Sequence, residues 1–86
     1  MNPQTARVLI DIQKERMRQD EKWGEQNHDD GRWSHILLEE IGEASKAYMD
    51  GYDQQMDVEL IQAAAVLASW VESRRRKRIK QWEGWV

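Results

Sequence analysis

Glu39, Glu40 and Glu43 in one stretch, and Glu59 and Gln62 in the next, stand among apolar residues. An ionised carboxylate withdrawn from water without a partner is costly enough that it usually gains a cation or loses its charge. Four carboxylates and one amide so placed point to a metal. The chain contains no cysteine, so thiolate ligands and disulfides are excluded and the ion must be held by oxygen or imidazole. His28 and His35 are only seven residues apart with no third imidazole, which argues against zinc. Oxygen donors favour a hard cation, Mg²⁺ or in its place Mn²⁺.

The elements that must position these groups read as three helices. Asn2 and Pro3 suit an N-cap and first helical residue, and Ala6, Val8, Leu9 and Ile12 give an apolar face to a helix ending near Trp23-Gly24. A loop from Gly24 to Trp33, rich in Asn, Asp and Gly, follows. Ser34 is the expected cap of the second helix, which stops at Gly51. A short connection, Tyr52-Asp53-Gln54-Gln55, leads to a third helix from near Met56 to about Arg78. Short connections favour antiparallel neighbours, so the fold class is an all-α antiparallel helical bundle.

At 100° per residue, Glu39, Glu40 and Glu43 fall within one arc of about 100° shared with Ile36 and Ala47. Glu59 lies on a stripe with Met56, Ala63, Val66 and Trp70, and Gln62 sits one turn along. Folding back around residue 52 places Glu43 opposite the Glu59 to Gln62 turn. Taken alone, Glu-Glu-x-x-Glu would usually be a solvated face. Glu59 weighs against that reading, because no cation lies three or four residues away to neutralise it.

The segments Leu37-Leu38-Glu39-Glu40-Ile41-Gly42-Glu43-Ala44 and Val58-Glu59-Leu60-Ile61-Gln62-Ala63-Ala64-Ala65 resemble the MazG-like members of the all-α nucleoside triphosphate pyrophosphatase superfamily. Those proteins carry Glu-Glu-x-x-Glu and then Glu-x-x-Asp on adjacent helices. Lys22-Trp23-Gly24-Glu25-Gln26-Asn27-His28 looks like the lead-in loop of their short bacterial and phage members, so the likeness spans about residues 20 to 72. The resemblance implies Mg²⁺-dependent hydrolysis of an NTP or dNTP to the monophosphate and pyrophosphate by a homodimer or homotetramer. It implies that Glu40, Glu43 and Glu59 hold metal, with Gln62 at the fourth ligand position and Glu39 orienting or deprotonating the attacking water. Gln62 departs from the family's Asp: its amide oxygen can coordinate an ion but brings no negative charge.

In the loop, Trp23, Gln26 and His28 are candidates to stack on a base and hydrogen-bond its edge or sugar, with Trp33 beside them. The structural alternative is that the tryptophans plug a small core. The basic run Arg74-Arg75-Arg76-Lys77-Arg78-Ile79-Lys80 reads first as a solvated helix end, and otherwise as a means of drawing in anionic substrate or contacting nucleic acid. Trp82 and Trp85 are expected to anchor the C-terminus on the bundle.

Eighty-six residues make a single domain, residues 1 to 86, with a basic end over 74 to 86. Residues 1 to 73 carry seven Lys/Arg against fifteen Asp/Glu, a net of −8, and residues 74 to 86 carry six against one, a net of +5. A domain this small buries only about 60% of its unfolded surface, and Leu60, Ala64, Leu67 and Val71 form a second apolar row on the third helix. The bundle is therefore expected to be completed by dimerisation. With no basic leader and no uncharged run of spanning length, a cytoplasmic protein without membrane partners is expected. The alternative function is a non-catalytic helical dimer that binds nucleotide or nucleic acid, although nucleic acid is not the favoured partner.

Overall fold

A computed structural model describes the backbone of residues 1–83 and side chains as far as Lys80. The expected roles of Trp82 and Trp85 therefore lie outside the described residues. The chain forms three helices, α1 (Pro3–Trp23), α2 (Asp30–Met49) and α3 (Asp53–Glu83), and the described residues contain no strand. None of these helices is long and apolar enough to cross a membrane.

Local chemistry accounts for the boundaries. Asn2 Oδ1 accepts the Gln4 N–H at 2.7 Å ahead of Pro3, which has no N–H to satisfy at that position. Gly24 ends α1 at φ 72°, a conformation that a side chain would disfavour. α2 ends in a paired closure: the Gly51 N–H donates to the Tyr48 carbonyl at 3.1 Å and the Tyr52 N–H to the Ala47 carbonyl at 2.9 Å, with Gly51 at φ 77°.

Three expected boundaries are corrected. α2 begins at Asp30 and not after Ser34, because Asp29 Oδ1 accepts the Arg32 N–H at 2.8 Å and a carboxylate suits the positive helix end. The first turn is then held by Trp33, which is 1% exposed and packs its ring edge-on to His28. The loop is consequently Gly24 to Asp29. α3 begins at Asp53 and continues to Glu83, taking Gln54 and Gln55 into its first turn.

α3 is the spine. α2 packs antiparallel along one side of it and α1 along another, and the backbones of α1 and α2 do not meet. α1 runs in the same direction as α3: Asp11 and Lys14 share a groove with Asp57 and Val58, while Arg16 reaches Glu72 at 2.6 Å further along. The core is small and rich in alanine, with Trp33, Ala44 and Ala47 of α2 against Ala63, Ala65 and Val66 of α3. Helices separated by alanine approach closely, at the short end of the usual range of about 8–10 Å. That closeness lets carboxylates on facing helices reach one another. α1 contributes no fully buried residue.

Candidate metal centre

Glu40 and Glu43 project from α2 toward Glu59 on α3, and one carboxylate oxygen from each lies within 4.8 Å of the other two. Glu59 is buried at 9% exposure, Glu40 is half-buried and Glu43 is exposed, so the cluster has a closed floor and an open rim. Burial first, then repulsion from Glu43 and Glu59, pushes the Glu40 carboxyl up from the ordinary carboxylate range to about 7. Hydrogen bonding to Glu59 and then its charge raise Glu43 as well. These are the marks of anions held closer together than they would stand in water.

Two amides relieve the crowding. Gln55 Nε2 donates to Glu59 Oε1 at 2.7 Å. In the amide orientation that satisfies its neighbours, Gln62 Nε2 donates to Glu40 Oε2 at 3.1 Å and to Glu59 Oε2 at 2.9 Å. Gln62 thus does in part what a cation would do, and a half-turn of its amide would present Oε1 to an ion instead. Hard oxygen donors alone line the cluster. In an octahedron with Mg²⁺–O bonds of about 2.1 Å, opposite oxygens stand about 4.2 Å apart and adjacent ones about 3.0 Å, so three carboxylate oxygens within 4.8 Å of one another must draw inward to share one ion.

Glu39 stands apart. Its carboxylate pairs with His35 Nε2 at 2.9 Å on an exposed surface, although its charge contributes to raising Glu43. The arc on α2 therefore splits, with Glu40 and Glu43 joining the cluster and Glu39 lying at its outer edge.

Trp23, Gln26 and His28 do not converge on the carboxylates within one chain. The loop that carries them is fastened to α3 far from the cluster: Arg76 donates to Asn27 Oδ1 and to the Gln26 carbonyl, each at 3.0 Å, and Lys77 Nζ donates to the His28 carbonyl at 2.5 Å. Arg76 lies seventeen residues beyond Glu59, about 25 Å of helical rise. Trp23 is exposed, with Lys22 Nζ 4.6 Å from its ring centre. Asp30 receives Trp70 Nε1 at 2.9 Å and the Arg74 guanidinium, and these contacts hold its carboxyl below the usual range.

The basic run is therefore not simply a solvated end, since Arg74, Arg76 and Lys77 secure the α1–α2 junction. Arg75, Arg78 and Lys80 are exposed. The pairing of Gln55 with Glu59 escapes sequence reasoning because Gln55 reads as part of the connection; with α3 starting at Asp53 the two stand four residues apart on one helix. The reach of Arg76 to the loop had no local signal.

Comparison of the chain with protein-family models, curated proteins and solved structures finds no match.

Proposed function

We propose that this chain is a Mg²⁺-dependent nucleoside triphosphate pyrophosphohydrolase that converts an NTP or dNTP and water to the monophosphate and pyrophosphate. The observation that carries the reading is the meeting of Glu40, Glu43 and Glu59 within 4.8 Å, from the two helices whose motifs resemble those of the MazG-like pyrophosphatases. The residues present fit the ion that the resemblance implies: Glu40, Glu43 and Glu59 would hold it, and Gln62 would offer its amide oxygen. A divalent cation there would neutralise phosphate charge and lower the pKa of a bound water.

The chain's own contribution is positional. Buried Glu59, steadied by Gln55, is the fixed member of the set, and Glu40 and Glu43 can adjust around it. Glu39 is the proposed water-orienting carboxylate at the outer edge, where His35 limits its rotation. Water adds to phosphorus, the phosphoanhydride bond to the leaving pyrophosphate breaks, and the water's proton passes to a carboxylate or to solvent.

The same reading includes a homo-oligomer, a dimer or a tetramer. Leu38 and Ile41 on α2 and Leu60, Leu67 and Val71 on α3 are exposed in the single chain, 42% or more in each case. Stripes of this kind mark association surfaces, and a second copy would complete the bundle.

Product analysis with a panel of triphosphates tests the assignment: pyrophosphate and monophosphate should appear only with Mg²⁺ or Mn²⁺. Orthophosphate as the first product would sink it. Arg75, Arg78 and Lys80 support a second reading, a helical dimer that binds nucleotide or nucleic acid without catalysis. That reading requires salt-sensitive retention of DNA or RNA that disappears when the three cations are replaced.

A further inference from the structure

A groove of about 400 Å³ runs between α1 and α3, and one of its walls is Gln62, the residue that also bridges Glu40 and Glu59. The groove and the carboxylate cluster are therefore neighbours that share a side chain. The volume falls within the range of about 300–1,000 Å³ usual for small-molecule sites. Because α1 and α3 run in the same direction, the groove has a chemical polarity that follows residue number. Asp11 and Asp57 stand at one end and Arg18 and Gln62 at the other, with Lys14 and Glu15 of opposite charge between them and Val58 and Ile61 supplying apolar surface. Asp11 to Arg18 is seven residues, about 10 Å of rise, which is the length of a base with its sugar.

Glu59 lies beside the middle of the groove, between Asp57 and Gln62 on α3, and Arg18 is the cation at the Gln62 end. It makes two hydrogen bonds to Glu15, both 2.7 Å, and it is near enough to Glu40 to feel that charge. The Arg18 side chain is half exposed, so its pairing with Glu15 is of the weak, solvent-screened kind. A phosphate can replace one carboxylate in such a fork without loss of geometry.

We propose that the α1–α3 groove seats the nucleotide lengthwise, with its base against Val58 and Ile61 and its phosphates passing Arg18 toward Glu40 and Glu59. The carboxylates of Asp11 and Asp57 at the far end accept hydrogen bonds from sugar hydroxyls or exocyclic amino groups. This rests on the pyrophosphohydrolase reading and deepens it. It also moves the nucleoside away from Trp23, Gln26 and His28, which the fold holds at the other end of α2.

The test uses the full chain with Mg²⁺ and three probes, the α,β-methylene analogues of ATP and CTP and inorganic tripolyphosphate, with binding followed by calorimetry. The intact protein should bind at least one analogue more tightly than tripolyphosphate. Val58→Trp, at a half-exposed position that tolerates bulk, should weaken that analogue at least tenfold while leaving Mg²⁺ and tripolyphosphate binding unchanged. Ile61→Trp should repeat the pattern, Arg18→Glu should weaken analogue and tripolyphosphate alike, and Trp23→Ala should leave both unaltered.

Unchanged analogue affinity in both tryptophan variants overturns the groove and leaves the hydrolase standing. So does equal affinity of the intact protein for analogues and tripolyphosphate. A fall in solution mass of the Val58→Trp variant would mark the groove as a subunit interface and also overturn the seat. Binding of none of the three probes by the intact protein removes the groove and the hydrolase together.

Discussion

The amide of Gln62 lies 2.9 Å from the Glu59 carboxylate, and its second contact reaches Glu40 at 3.1 Å, so a neutral side chain links two acids from different helices. In a protein without bound ion this arrangement substitutes hydrogen bonding for charge neutralisation. An aspartate at the same position would place a fourth negative charge in the cluster.

Gln62→Asp should therefore destabilise the metal-free protein and strengthen its hold on Mg²⁺. Loss of two amide donors to partly buried carboxylates costs about 1–3 kcal/mol. In a domain of this size that corresponds to a fall in Tm of roughly 4–8 °C per kcal/mol. Melting with and without Mg²⁺ should show the deficit closing as the ion is added. Equal Mg²⁺ affinity in the two proteins would place residue 62 outside the coordination sphere.

Glu40 gives the cluster a pH signature. Its carboxyl is raised from about 4.5 when unfolded to about 7 when folded, so the folded state binds the proton more tightly. The stabilisation is fully present below pH 4.5 and is lost as pH rises through 7. For the metal-free protein, Glu40 should thus make Tm fall between pH 5 and pH 8, and saturating Mg²⁺ should flatten that slope by taking the proton's place. Calorimetry in buffers of different ionisation enthalpy should also detect proton release on Mg²⁺ binding near pH 6.

Glu59→Ala and Glu43→Ala should each reduce pyrophosphate release at least about 100-fold, the scale expected when an ion worth several kcal/mol is lost from a reacting phosphate. Their effects on stability should differ in sign. Removing Glu43 from the exposed rim relieves repulsion and should leave Tm unchanged or higher, whereas removing Glu59 opens the buried floor and takes a partner from the half-buried Gln62 amide.

Arg76→Ala should release the Gly24 to Asp29 loop from α3. Two hydrogen bonds to Asn27 and the Gln26 carbonyl disappear, at a cost of about 1 kcal/mol because the guanidinium is only partly buried. Hydrogen exchange should rise in the loop and at the start of α2, with the centre of α3 unaffected. An unchanged exchange pattern would show that Trp33 alone secures the junction.

In the proposed oligomer, Leu67→Glu should lower the solution mass to that of a single chain by placing a charge in the exposed α3 stripe, and Leu60→Glu should act in the same direction; an unsubstituted protein that already has single-chain mass would end the oligomer proposal. Sedimentation measures this directly. Retention of full mass by both variants would assign the assembly surface elsewhere.

The helical class, the ends of α1 and α2 at Gly24 and Gly51, and the meeting of Glu43 with Glu59 could all be read from the chain, because caps, left-handed glycines and the 3.6-residue repeat act over a few residues. Gln62 was within the same reach, whereas Gln55 reads as part of the connection and joins the site only because α3 starts at Asp53. The start of α2 was beyond it, since Asp29 and Ser34 are both good caps and the choice between them was decided by where Trp33 finds a partner. The Glu39–His35 pair, four residues apart on α2, lay within that local reach too; tertiary structure alone decided that Arg76 crosses to Asn27 and that α1 lies parallel to α3 with Arg18 near Glu40. Those relationships join residues brought together by the packing of one helix on another, and no local propensity encodes which side of α3 each neighbour takes.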